Sequence, residues 1–172
     1  MKRLFLTTIS LLIMNGLPAQ SFDAGAIIEK TLQIYTAWGG MDVSFTSIYV
    51  EKNGSPENTE GTIRMKNNKF VLTTPDMITW FDGTTQWTYF LHSDEVYINP
   101  PVEEDLRILN PMMFLQNYQK DYNVTSIGES TSANAKSAFD IQLTPKKKDA
   151  IEKIELQIEK NTSLPVKLAS LS

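Results

Sequence analysis

Past Gly39-Gly40 the apolar residues of this chain abandon the 3.6-residue repeat of a helix and recur at every second position. Before that point, Ile27, Ile28, Leu32, Ile34, Tyr35 and Trp38 mark an amphipathic helix from Ala24 to Trp38, which the two glycines are suited to end. After it, one face of each run reads Val43-Phe45-Ser47-Tyr49, Gly61-Ile63-Met65, Phe70-Leu72, Ile78-Trp80, Trp87-Tyr89-Leu91 and Val96-Ile98. The pattern returns in Phe139-Ile141-Leu143 and Ile154-Leu156-Ile158. The intervening positions, among them Thr62, Arg64, Thr79, Thr88, Glu95, Tyr97, Gln142, Glu155 and Gln157, are mostly polar. Strands with one dry and one wet face predict an antiparallel sheet. Turn signals separate the runs at Asn53-Gly54-Ser55-Pro56, Asn67-Asn68, Asp82-Gly83, Ser93-Asp94 and Pro145 to Asp149. Asp82-Gly83 reads as a tight type I′ hairpin.

The alternation lapses between Pro100 and Asp121. There Asn110 can cap a helix and Pro111 suits its first position, predicting a short helix from about Pro111 to Gln119. Met112, Met113, Phe114 and Leu115 make it too apolar for a solvated connection, so it must cover something. Eight or nine strands with one dry face, and no second sheet to dry it, predict a single curved sheet wrapped around two helices, a container by construction.

The N-terminus speaks to compartment. Lys2 and Arg3 precede an apolar run from Leu4 to Met14, then Asn15, Gly16 and Pro18, which predicts a signal peptide over residues 1–19 cut between Ala19 and Gln20. The run is too short to span a bilayer, and a buried helix would set two cations at the unfavourable end of its dipole. Residues 20–172 are expected to form one domain. The formal charge of −4 becomes more negative once Lys2 and Arg3 are removed, which argues against nucleic acid. The one dense basic run, Lys146-Lys147-Lys148, reads as a solvated turn. The chain has no cysteine, so disulfides, thiolate metal sites and thiol nucleophiles are excluded.

Taken in order, several segments resemble the LolA-type outer-membrane lipoprotein carriers. They are the N-terminal helix leading into Val43-Ser44-Phe45-Thr46-Ser47, the strand Gly61-Thr62-Ile63-Arg64-Met65, the run from Trp80 through Asp82-Gly83 to Trp87-Thr88-Tyr89, the Asn110-Pro111 helix, and Phe139 to Pro145. The resemblance implies an α+β, mainly β fold: an incomplete antiparallel β-barrel, or half-barrel, with the N-terminal helix and a short lid helix covering its concave face. It implies a periplasmic carrier that takes acylated lipoproteins from an inner-membrane release complex to an outer-membrane receptor or the outer membrane, as a monomer, without cofactor or turnover. Physics makes such a shelter necessary, since burying acyl chain is worth ~0.8 kcal/mol per CH₂. The aromatic residues read on their own as core. The resemblance makes the same surface a cavity, with Ile34, Trp38, Phe45, Ile63, Phe70, Trp80, Trp87, Tyr89, Met112, Met113, Leu115 and Ile141 as its wall and lid. Two departures stand out. The turn Lys66-Asn67-Asn68-Lys69 lacks the arginine with which such carriers are thought to latch the lid, and the chain ends at Leu168 to Ser172, where they continue with further strands, so the domain is expected to lack its last strands.

Catalytic constellations are thin. His92 is the only histidine and falls in a turn, so neither a histidine triad nor a multi-histidine metal site can be built. Glu103-Glu104-Asp105 read as a solvated approach to the second helix rather than a cation site, and Asp82 as a turn residue rather than a general acid. A periplasmic lipid- or peptide-sensing half-barrel is the second reading; a hydrolase, the third, lacks a poised nucleophile.

Overall fold

A computed structural model describes residues 22–50, 55–101, 106, 110–148 and 151–171. The expected signal peptide and Glu103-Glu104-Asp105 lie outside these residues, as does the side chain of Met113. Among them the chain runs α1 (Ala24–Trp38), β1 (Met41–Tyr49), β2 (Glu57–Lys66), β3 (Lys69–Thr73), β4 (Met77–Phe81), β5 (Gln86–Phe90) and β6 (Glu95–Asn99). There follow α2 (Pro111–Gln116), α3 (Tyr118–Asp121), β7 (Tyr122–Thr131), β8 (Ser137–Pro145), β9 (Lys153–Glu159) and β10 (Pro165–Leu171).

Local chemistry sets the ends of α1. The Asp23 carboxylate accepts a hydrogen bond from the Ala26 backbone N–H at 3.0 Å, and Gly39 takes the left-handed conformation at φ 67° while its N–H donates to Thr36 O. The second helical segment starts as the sequence suggests, with the Asn110 side-chain oxygen accepting from the Met112 N–H at 3.1 Å. It divides at Asn117 into α2 and α3 instead of running unbroken to Gln119.

All strand pairs are antiparallel, in two sheets: six strands in the order β1-β2-β3-β4-β5-β6 and four in the order β10-β9-β8-β7. The single curved sheet is therefore corrected to two unclosed sheets. The strands that alternation missed explain the difference. A register shift between Ser126 and Gly128 breaks the periodicity of β7, and β10 is an edge strand whose Val166, Leu168 and Leu171 each keep more than a third of their surface exposed.

Ile28, Met112 and Leu115 from the helices meet Ile63, Met65, Phe70, Leu72 and Phe81 from one sheet and Ile141, Leu143, Leu156 and Ile158 from the other in one buried core. Helix α1 also holds both sheets by hydrogen bonds. The Thr31 hydroxyl donates to Ser163 O at 2.8 Å, beside β9 and β10, and the Tyr35 hydroxyl donates to Asn67 O at 3.0 Å, in the β2–β3 turn. Burial raises the Tyr35 pKa, so this hydroxyl keeps its proton and remains a donor throughout the physiological range.

Candidate functional site: an uncovered sector of the concave face

Strand register decides which side chains face inward. The row Met65–Phe70–Phe81–Gln86 and the row Val43–Ile63–Leu72–Thr79–Thr88–Tyr97 run across the six-stranded sheet on one face. Toward β1–β3 this face is part of the shared core. Toward β4–β6 it opens into a cavity of about 530 Å³ lined by Met77, Thr79, Gln86, Thr88, Phe90, Ser93, Glu95 and Tyr97.

The cavity is apolar along its length and polar at its rim. Phe90 and Tyr97 meet edge to face with centroids 5.5 Å apart, and each keeps more than a third of its surface open, at 38% and 48%. The Thr79 and Thr88 hydroxyls hydrogen-bond to each other at 3.1 Å, so two inward polar groups satisfy one another. At the rim the Tyr97 hydroxyl donates to the Glu95 carboxylate at 2.9 Å, and that bond together with the carboxylate's charge raises the Tyr97 pKa.

Of the residues expected to form the wall and lid, Ile63, Phe70, Met112, Leu115 and Ile141 are buried in the core, with Phe45 packed partly buried against it. Ile34 is half-buried on α1, and Trp38 is 59% exposed at its end. Trp80, Trp87 and Tyr89 belong to the opposite rows, Val71–Trp80–Trp87–Ile98 and Thr73–Ile78–Tyr89–Val96, and so project from the outer face. The expected facing of β4, β5 and β6 is thus corrected. In Met77-Ile78-Thr79-Trp80-Phe81 both phases are apolar, so alternation cannot choose between them. The β3–β4 connection, in which the Thr74 N–H donates to Met77 O at 2.9 Å, sets the phase that puts Phe81 beside Phe70, with centroids 5.6 Å apart. Met77 escapes notice for the same reason, and Phe90 and Tyr97 because Trp87-Tyr89 and Val96-Ile98 form the more apolar phase of β5 and β6. Phe81, immediately before a turn signal, was the residue that could have revealed it.

The groups considered for catalysis have structural partners. His92 is exposed and lies 2.9 Å from the Asp76 carboxylate. The Asp82 carboxylate accepts from the N–H groups of Thr84 and Thr85 at 2.9 and 2.8 Å. The loop spans four residues, Asp82 to Thr85, between the paired Phe81 and Gln86, correcting the two-residue type I′ turn. Among the described residues no group of three or more His, Cys, Asp or Glu side chains could hold a metal, and no helix is long and apolar enough to cross a membrane.

No curated protein matches the chain. Among solved structures, the chain is similar to an uncharacterized conserved protein from Thermus thermophilus, at 13% identity and a TM-score of 0.59, covering 87% of this chain and 77% of that one. It also matches a LolA superfamily protein from Nitrosomonas europaea, at 13% identity and a TM-score of 0.42, covering 88% and 73%. The first of these likenesses speaks for the fold. The model of the outer membrane lipoprotein carrier protein LolA matches residues 16–168, nearly the whole chain, and the chain accordingly belongs to the LolA family.

Proposed function

We propose that this protein is a periplasmic lipoprotein carrier that shelters acyl chains in the sector of its concave face between β4 and β6. The observation that carries the reading is the part of the inner face that the described residues leave open: the helices join the core with β1–β3 and the four-stranded sheet, while the β4–β6 end holds a cavity of about 530 Å³ with Met77, Phe90 and Tyr97 on its wall. Small-ligand sites commonly occupy ~300–1,000 Å³, and a flexible chain needs apolar surface more than fixed polar contacts. Binding and release suffice for this role, with no bond made or broken.

On this reading residues 1–19 are an export signal, residues 20–172 are one carrier domain, and the protein moves acylated lipoproteins, as a monomer, from an inner-membrane release complex to the outer membrane or a receptor there. The test is binding of a fluorescent fatty acyl probe. Phe90→Ala and Tyr97→Ala remove partly exposed side chains and should leave the fold intact, yet each should weaken the probe by roughly tenfold, the equivalent of ~1.4 kcal/mol. Unchanged affinity in both variants would sink the cavity assignment. A sensing module would bind the probe but not deliver it, so transfer of bound probe to acceptor vesicles separates carrier from sensor.

A further inference from the structure

Of the eight side chains that line the cavity among the described residues, Glu95 alone is charged. It closes the inward row Met77–Phe90–Glu95, at the end of the sheet where the β3–β4 and β5–β6 turns lie. Its Oε2 accepts from the Tyr97 hydroxyl at 2.9 Å, and its Oε1 has no partner among the described residues. The rim thus offers a negative charge and a free acceptor to whatever fills the cavity, and no cation to meet a carboxylate or a phosphate. Tyr97 cannot stand in for a cation, because its proton is committed to Glu95 and the carboxylate's charge holds it there. Gln86 and Ser93 are uncharged, and the Thr79 and Thr88 hydroxyls are engaged with each other.

The surroundings carry the same sign. Asp76 in the β3–β4 turn and Asp94 in the β5–β6 turn share this end, the two turns being joined by a hydrogen bond from the Leu91 N–H to Asp76 O at 2.9 Å. Asp94 accepts from the uncharged Tyr89 hydroxyl, and Asp76 meets His92, the one basic side chain in either turn. Lys66 and Lys69 stand at the β2–β3 turn, the opposite end of the sheet, beside Asp82. A headgroup at the Glu95 end therefore enters a field that favours positive charge. Glu95 is exposed, so that field acts through solvent and its effect is moderate and sensitive to salt.

We propose that Glu95 selects the headgroup of the bound molecule: the cavity takes an acyl chain tethered to an amine, as in an acylated peptide with a free ammonium group close to its chain, in preference to one that ends in a carboxylate or a phosphate. This deepens the carrier reading and rests on it. An apolar wall cannot tell one acyl chain from another, so discrimination among lipids has to come from the few polar groups at the rim. A rim carboxylate lets a carrier pass over the free fatty acids and acidic phospholipids of a membrane while it accepts a lipid-modified peptide.

The test displaces Nile red, an uncharged dye that fluoresces in apolar surroundings, from the purified protein at low salt. The competitors are dodecylamine, dodecanol and dodecanoate, which share one chain and differ in the head, each below its micelle concentration. Dodecylamine should bind roughly tenfold more tightly than dodecanoate, with dodecanol between them, and the spread should narrow as salt is added. Glu95→Gln, which keeps the length of an exposed side chain, should bring the amine and the carboxylate to within about threefold of each other, and Glu95→Lys should reverse their order. Glu60→Gln removes the same charge from an exposed position on β2, outside the cavity, and should leave the order as it is, which separates a local effect from the acidity of the whole protein. Phe90→Ala reports on the cavity itself and should weaken all three. If the dye does not bind, or if Phe90→Ala changes none of the competitors, the carrier reading falls and headgroup selection with it. If Phe90→Ala weakens all three yet they bind alike, or if the preference for the amine survives Glu95→Gln, the cavity stands and selection by Glu95 is overturned.

Discussion

The Phe45 ring lies over Gly61, its cross-strand partner: a Cβ at Gly61 would stand 2.5 Å from Phe45 Cζ and 2.8 Å from the Thr73 carbonyl oxygen. Glycine here lets an aromatic ring fold down onto the neighbouring strand. Gly61→Ala should destabilise by ~1–3 kcal/mol, as overpacking does. Adding Phe45→Ala should recover only part of this, because the Thr73 carbonyl remains in the way. Urea unfolding of both variants checks it, and a neutral Gly61→Ala would contradict the close approach.

Neighbouring aromatic residues on β4 should respond differently to truncation. Phe81, 4% exposed and packed on Phe70, should cost ~3–5 kcal/mol on change to Ala. Trp80, 37% exposed on the outer face, should cost roughly half of that or less despite its larger side chain. Equal losses in denaturant unfolding would reverse the assignment of faces.

Leu115 on α2 has no exposed surface, and Met112 almost none. Leu115→Ala should therefore lower stability by ~2–5 kcal/mol. Among the described α2 side chains, Met112, Phe114, Leu115 and Gln116, none lines the open cavity, so acyl-probe affinity of the Leu115 variant measured well below the transition should stay within about twofold. A separate, large loss of affinity in the folded variant would instead make α2 a movable cover.

Hydrogen bonds from the N–H groups of Thr85 and Thr84 hold the Asp82 carboxyl below the usual carboxylate range. A group whose pKa is depressed by folding contributes stability above its unfolded pKa and loses it as pH falls through the folded one. The wild type should therefore be more stable than Asp82→Asn at about pH 7, and the gap should shrink below about pH 4. Urea midpoints across that range measure it. A gap that persists at about pH 2 would place the difference in packing rather than charge.

Local chemistry determined α1 and the antiparallel strands. The helical spacing from Ile27 to Trp38, the stop at Gly39 and the Asn110 cap all act within a few residues, so they are legible in the sequence and take the predicted form. The same holds for the runs around Ile63, Phe70, Ile141 and Leu156, where one phase is apolar and the other polar. Tertiary structure decided what local pattern left degenerate. In β4 both phases are apolar, and only pairing with β3 directs Thr79 and Phe81 inward and Trp80 outward. Register then carries the choice across the sheet, placing Thr88 and Tyr97 in the cavity row and Trp87 and Ile98 on the outside. The division into two sheets was equally invisible, because it depends on which strand edges meet, and a period of two says which way a side chain points without saying which strand lies beside it.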